Sequence, residues 1–307
     1  MKLITFVGPD GGRHYGADLG AAVLGLDVAL HFVPPFDSPA GSLAVPRTLQ
    51  GLIAAGRTGL DAAREAVRRV DEADDPVSTA RLPRSEVRLL APLPAPTQIL
   101  AIGRNYRDHA SEAAAKLPAM PRIFPKFAST VIGDNQPILR PQATQQLDWE
   151  VELGVVIGRP ATRVAESDAL AYVAGYTLIN DVSARDIQFS TPEQLTLAKN
   201  YRTFTPMGPC IVTTDEVPDP GDIPLKLWVN DELMQDSSTK YLIFSVPYLV
   251  SFASHVLDLG PGDVISTGTP SGVGHFRTPP RYLVGGDVVK MRLGDICSLT
   301  NPVRDDA

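Results

Sequence analysis

The sequence predicts a mainly β protein with α+β elements, divided into a small α+β N-terminal domain over residues 1–91 and a larger, mostly β domain over residues 92–307. Three observations carry this. From Gln98 onward the apolar runs are short and separated by Gly, Pro and Asn/Asp turns, without the regular strand–helix alternation that a doubly wound sheet needs. Between Pro46 and Asp74, apolar residues instead recur at intervals of three and four. Between these regions, Leu89 to Pro96 carries prolines at 92, 94 and 96, which continue neither a helix nor a central strand.

In chain order, Lys2 to Val7 and Ala21 to Phe32 flank Gly-rich turns, as in a small β-meander. Leu49, Leu52, Ile53, then Leu60, Ala63, Ala66, Val67 and Val70 read as two helices broken near Gly56 to Gly59. Ile99 to Ile102 is a short strand, and Asn105 to Ala115 is helix-compatible. Leu147 to Ile157, Tyr172 to Ile179, Leu225 to Val229, Val264 to Ser266 and Val288 to Leu293 are strand candidates. Ser251 to Leu257 reads as a short helix closing at Gly260-Pro261-Gly262.

Composition narrows the function. A charge of −7 with no basic block argues against nucleic acid, and no apolar run has the roughly 18 residues of a membrane span. The start, which breaks at Gly8-Pro9, lacks the core of a signal peptide, so a cytoplasmic protein is expected. Cys210 and Cys297 lie far apart and away from any histidine cluster, which points to small buried side chains rather than a disulfide or a zinc site.

The stretch from Leu147 to Ile157 carries the chemistry. On one strand, Asp148, Glu150 and Glu152 share a face and Trp149, Val151 and Leu153 the other. Carboxylates at that spacing repel unless a cation sits among them; the alternative is a charged, solvent-facing edge strand. Asp181, at the polar turn after another strand, supplies a third carboxylate. An all-oxygen set suits Mg²⁺ or Mn²⁺, with Ca²⁺ also accommodated, rather than zinc. His109 and Glu112, three apart, fall on one helix face, either as an oriented general base or as a surface pair.

Five ordered motifs resemble those of the fumarylacetoacetate hydrolase family: Ala101 to Glu112, Asp148 to Glu152, Gly175 to Asp186, Lys199 to Gly208 and Gly262 to Gly274. The likeness, with the acylpyruvase, oxaloacetate decarboxylase and diketo-acid hydrolase branch, covers about residues 92–303. It implies a mixed β-roll in the C-terminal domain, a homodimer and a small oxo-acid substrate. By position it implies Glu150, Glu152 and Asp181 as metal ligands, and His109 with Glu112 as the pair activating water. It further implies Lys199 as a stabiliser of developing negative charge, Lys126, Arg185 and Gln188 as substrate contacts, and the Thr269 hydroxyl as part of a carboxylate cradle. Arg202 stands where many relatives carry an acid. It either reads a distal carboxylate of the substrate or turns outward to a surface acid.

The activity expected is metal-dependent hydrolysis of a C–C bond in a 2,4-dioxo acid of the acylpyruvate or fumarylacetoacetate type. Water deprotonated by His109 attacks the distal carbonyl, and cleavage leaves an enolate. An oxaloacetate-type decarboxylase, an enol–keto isomerase and a non-catalytic oxo-acid or metal-binding protein remain alternatives.

Overall fold

The computed structural model describes residues 1–37, 43–72, 74–112 and 117–306, side chains at 110 and 111 excepted. A twelve-stranded sheet forms its middle layer. Its main path runs Arg81–Pro83, Ala22–Gly25, Arg13–Asp18, Lys2–Val7, Thr205–Thr213, Val173–Asn180, Val151–Ile157, Val264–Ser266, Ile99–Gly103, Arg122–Lys126. The expected meander is present, ending in a short helix at Leu26–Ala29. The sheet is continuous across the expected boundary, because Lys2 pairs with Val212 and Leu3 with Ile211. Together with a five-stranded and a two-stranded sheet and the flanking helices, it agrees with the mainly β, α+β expectation.

Strand alternation separates two cores, one on each side of this sheet. Val151, Leu153, Val155 and Ile157 face a core shared with Leu225, Leu227, Val289 and Met291 of a five-stranded second sheet. Val156, Ala174, Ile179 and Ile211 face the other, shared with Leu49, Leu52, Ile53, Ala62, Ala63 and Ala66. Those last residues lie on helices Leu49–Ala54 and Gly56–Arg69, broken where the spacing predicted. The Thr48 hydroxyl accepts from the Gly51 N–H and starts the first; Gly56, at φ 61°, permits the reversal between them.

Three expectations need correction. Leu147 to Ile157 is not one strand: Leu147–Asp148 pairs with Ser183–Ala184, and the sheet strand begins at Val151. Both of its faces are buried, so neither a solvent-facing row nor an edge forms. The late helix starts earlier, at Val246, because Ser245 caps it and Pro247 suits its first turn. Cys210 and Cys297, read as separate, join one core cluster, and contact with Cys297 together with burial pushes the Cys210 thiol up. The Arg107–Glu112 helix falls within the expected segment, whose residues 113–115 lie outside the described ones. Among the described residues no helix is long and apolar enough to cross a membrane.

Candidate metal centre

Two neighbouring strand ends bring the carboxylates together. Val151 pairs with Asn180, the Asp181 N–H donates to the Glu150 carbonyl at 2.9 Å, and the Glu150 N–H donates to Asn180 Oδ1 at 2.9 Å. Glu150, Glu152 and Asp181 are all buried, and each offers an oxygen within 4.8 Å of the others.

Basic side chains meet two of the three. Lys199 Nζ donates to Glu150 Oε2 at 2.8 Å and Asp181 Oδ2 at 2.7 Å; Lys126 Nζ donates to Asp181 Oδ1 at 2.6 Å and to the Lys199 carbonyl. Arg185 Nε donates to Asp148 Oδ2 at 2.8 Å. Its Nη2 is in ion contact with Glu150 Oε1 at 2.7 Å, outside hydrogen-bond alignment. Burial alone would raise Glu150, but Lys199 and Arg185 outweigh it and hold the carboxyl down at about 2. Glu152 differs. Its Oε2 accepts from Ser266 Oγ at 2.6 Å and the Gly268 N–H at 2.9 Å, and no lysine or arginine reaches it among the described residues. Burial first, then the Asp181 and Glu150 charges, push Glu152 up to about 8.

The three carboxylates line a cavity of ≈ 220 Å³ with His109, Arg185, Gln188, Lys199 and Thr269. His109 Nδ1 lies 3.2 Å from Glu112 Oε2, and Glu112 Oε1 accepts from the Gly272 N–H at 3.0 Å. With Nδ1–H donating to Glu112, Nε2 is left as the basic nitrogen. Ile102, Phe124, Phe189, Leu195 and Phe276 supply the apolar wall.

The pattern of the fumarylacetoacetate (FAA) hydrolase C-terminal family matches residues 98–304. The chain belongs to the fumarylacetoacetate hydrolase family. This family member is 39% identical over 306 residues to the Rattus norvegicus protein named oxaloacetate tautomerase Fahd2a, mitochondrial, covering 99% of this chain and 91% of that one. It superposes on the fumarylacetoacetate hydrolase of Exiguobacterium antarcticum with a TM-score of 0.79 at 34% identity, and both chains are covered in full. The maleylpyruvate hydrolase of Sphingobium sp. SYK-6, solved with manganese(II) and pyruvate, gives 0.77 at 28% identity, again over both chains in full.

The residues present fit a hard divalent cation in this family member. Asp148, Glu150, Glu152 and Asp181 are four buried acids against three buried bases, Lys126, Arg185 and Lys199. The acid left without a base is Glu152, which is also one of the three clustered oxygen donors.

The expected site residues divide into three groups. Glu150, Glu152, Asp181, His109, Lys199, Arg185, Gln188 and Thr269 line one cavity, and Glu112 stands behind His109. Lys126 lies outside the lining, buried on Asp181, and the Thr269 hydroxyl, at the cavity, donates to the Val151 carbonyl at 3.0 Å while accepting from Gln235 Nε2. Arg202 is outside the lining, its side chain 73% exposed and paired with Asp306 at 2.8 Å. Sequence reasoning gave no role to Arg104, Arg122 or His275, and put Asp148 only in the row of carboxylates with Glu150 and Glu152. Asp148 accepts from the Gly274 and His275 N–H groups and thereby fixes the Gly-rich loop to Arg185. Its place in the Asp-Trp-Glu-Val-Glu run was the signal available.

Proposed function

We propose that this protein is a divalent-metal-dependent enol–keto tautomerase of a dicarboxylic 2-oxo acid of the oxaloacetate type. The observation that carries it is the placement of His109, oriented by Glu112, in the cavity of the three clustered carboxylates. The name of the rat relative, alike over nearly the whole chain, supports the reaction type.

Glu150, Glu152 and Asp181 would hold Mg²⁺ or Mn²⁺, which when bound would supply electrostatic stabilisation of negative charge on the oxo acid. His109 Nε2 takes the proton from the carbon next to the carbonyl, and the imidazolium returns it to the enolate oxygen; the reverse direction runs the same transfer backwards. Glu112 holds the ring and stabilises its charged form. The Lys199 ammonium adds positive charge where the enolate grows. Arg185 and Gln188, linked at 2.9 Å, fix the wall beside it, and Phe124 and Phe276 limit water. The homodimer is part of the same family reading and is tested by light scattering.

A second reading is hydrolysis of a 2,4-dioxo acid, with His109 deprotonating water instead of carbon. It is favoured by the same His109–Glu112 pair and by the likeness to a hydrolase solved with manganese and pyruvate. One experiment separates the two. After chelation and return of Mn²⁺, enol decay of oxaloacetate is followed by absorbance and products are identified by NMR, with acylpyruvates run in parallel. Tautomerisation predicts metal-dependent enol decay without C–C cleavage, lowered about 10²-fold or more in His109→Ala. Cleavage of acylpyruvates with no effect on the oxaloacetate enol supports the hydrolase. Turnover of neither overturns both.

A further inference from the structure

Arg104 directly follows the Ile99–Gly103 strand and has φ 58°. A non-glycine residue keeps that left-handed conformation where its surroundings impose it. Asn105 does so here. Fully buried, it donates through Nδ2 to the carbonyls of Thr267 at 2.8 Å and Phe244 at 3.1 Å, and its Oδ1 accepts from the Phe244 N–H at 2.8 Å. The turn is therefore a fixed mount for an exposed arginine that lines the cavity of the metal centre.

Register places that mount relative to the carboxylates. Gly154 pairs with Ser266 and Ser266 with Ala101, so two residues on, Glu152, Gly268 and Gly103 are level across adjacent strands. The Gly268 N–H bond to Glu152 agrees with this. Two strand spacings, about 10 Å, thus separate the Glu152 backbone from the start of the Arg104 turn. On the next strand Arg122 pairs with Gly103 and also lines the cavity, but its charge is taken by Glu193 at 2.8 Å. Arg104 has no hydrogen bond or ion pair among the described residues. One end of the cavity is acidic and suited to a cation; the other carries a guanidinium with no anion.

We propose that Arg104 binds the second carboxylate of the substrate, so that the enzyme selects dicarboxylic over monocarboxylic oxo acids. A guanidinium holds a carboxylate through two parallel hydrogen bonds, a geometry that Arg202, turned away on Asp306, is not placed to offer. The proposal rests on the oxo-acid reading above and names the residue that selects its diacid class.

The test uses the full chain loaded with Mn²⁺ and two variants, Arg104→Asn, which tolerates the left-handed turn, and Arg104→Lys, which keeps charge without the fork. Unchanged melting temperatures verify the fold. Calorimetry with 2-oxoglutarate and 2-oxopentanoate compares a diacid with a monoacid of equal chain length, and steady-state kinetics use oxaloacetate and acetylpyruvate. In Arg104→Asn, diacid affinity is expected to fall about tenfold to a hundredfold, and KM for oxaloacetate to rise similarly with kcat little changed. Monoacid values stay within about twofold, and Arg104→Lys recovers part of the loss. Equal factors for diacid and monoacid, or no change in either while wild type turns over oxaloacetate, overturn the role of Arg104 and leave the oxo-acid reading standing. If wild type neither binds nor turns over any of the four acids, that reading falls, and this one with it.

Discussion

Glu152 makes the metal-free protein sensitive to pH in a way that its metal-loaded form should not be. Its folded carboxyl lies at about 8 against an ordinary 4.5, raised by burial and by the Asp181 and Glu150 charges. Between those values the folded chain holds a proton that the unfolded chain has released, so stability falls as pH rises through the window and the loss is complete above about 8. At about 1.36 kcal/mol per pH unit the gap corresponds to roughly 5 kcal/mol, and relaxation of the lysines around the cluster reduces this to an expected 2–5 kcal/mol. Denaturant melts in EDTA from pH 5 to pH 8.5 measure it directly. Glu152→Gln, neutral at every pH, should flatten the profile, and so should saturating Mn²⁺ on the native chain. A profile in EDTA with the same slope for native and Glu152→Gln protein would refute the reasoning.

Lys126→Met removes a buried cation from Asp181 and should destabilise the protein by about 3–5 kcal/mol in EDTA, with Mn²⁺ restoring part of it; a denaturant midpoint within error of wild type contradicts the pairing described. Arg202→Ala breaks only an exposed ion pair, so a change of about 0–1 kcal/mol and an unaltered KM for oxaloacetate are expected by melting and kinetics. Gly272→Ala is different, because its φ of 100° and the nearby Met234 carbonyl oxygen leave no room for a Cβ, and its N–H holds Glu112. Loss of about 2 kcal/mol or more, with activity falling alongside, is expected there; a silent variant would mean that the Gly272 N–H does not set Glu112.

Spacing made much of the site legible. Glu150, Glu152 and Asp181 could be grouped because repelling carboxylates need a countercharge, and the helix pair below the sheet followed from its three-and-four periodicity. Alternation of side chains misled at Asp148. A break in the strand sent that carboxylate to Arg185, and nothing local in Asp-Trp-Glu-Val-Glu announces a break. The partner of Lys126 was not legible, and for Arg202 only the choice between substrate and a surface acid was, for a related reason: long side chains go to partners 55 and 104 residues away, Asp181 and Asp306. Arg104 was quoted within a motif, yet only the third dimension reveals a guanidinium without a partner among the described residues. The meeting of Lys2–Val7 with Thr205–Thr213 was equally hidden, since each segment alone reads as an ordinary strand.

That last pairing has a consequence for synthesis. As the chain leaves the ribosome, Lys2–Val7 can zip to Arg13–Asp18 at once and, at Phe6 and Val7, to Leu89 and Arg88 soon after, but Lys2 and Leu3 on its other edge wait for the stretch around residue 211. At roughly 5–20 residues per second the wait is about 10–40 s, during which an apolar strand edge stays open to neighbouring nascent chains. Slower elongation lengthens the exposure, and crowding of ribosomes on one message raises the chance of a wrong partner. The Lys2 and Leu3 end of that strand is closed over long after its partner Arg13–Asp18 is in place.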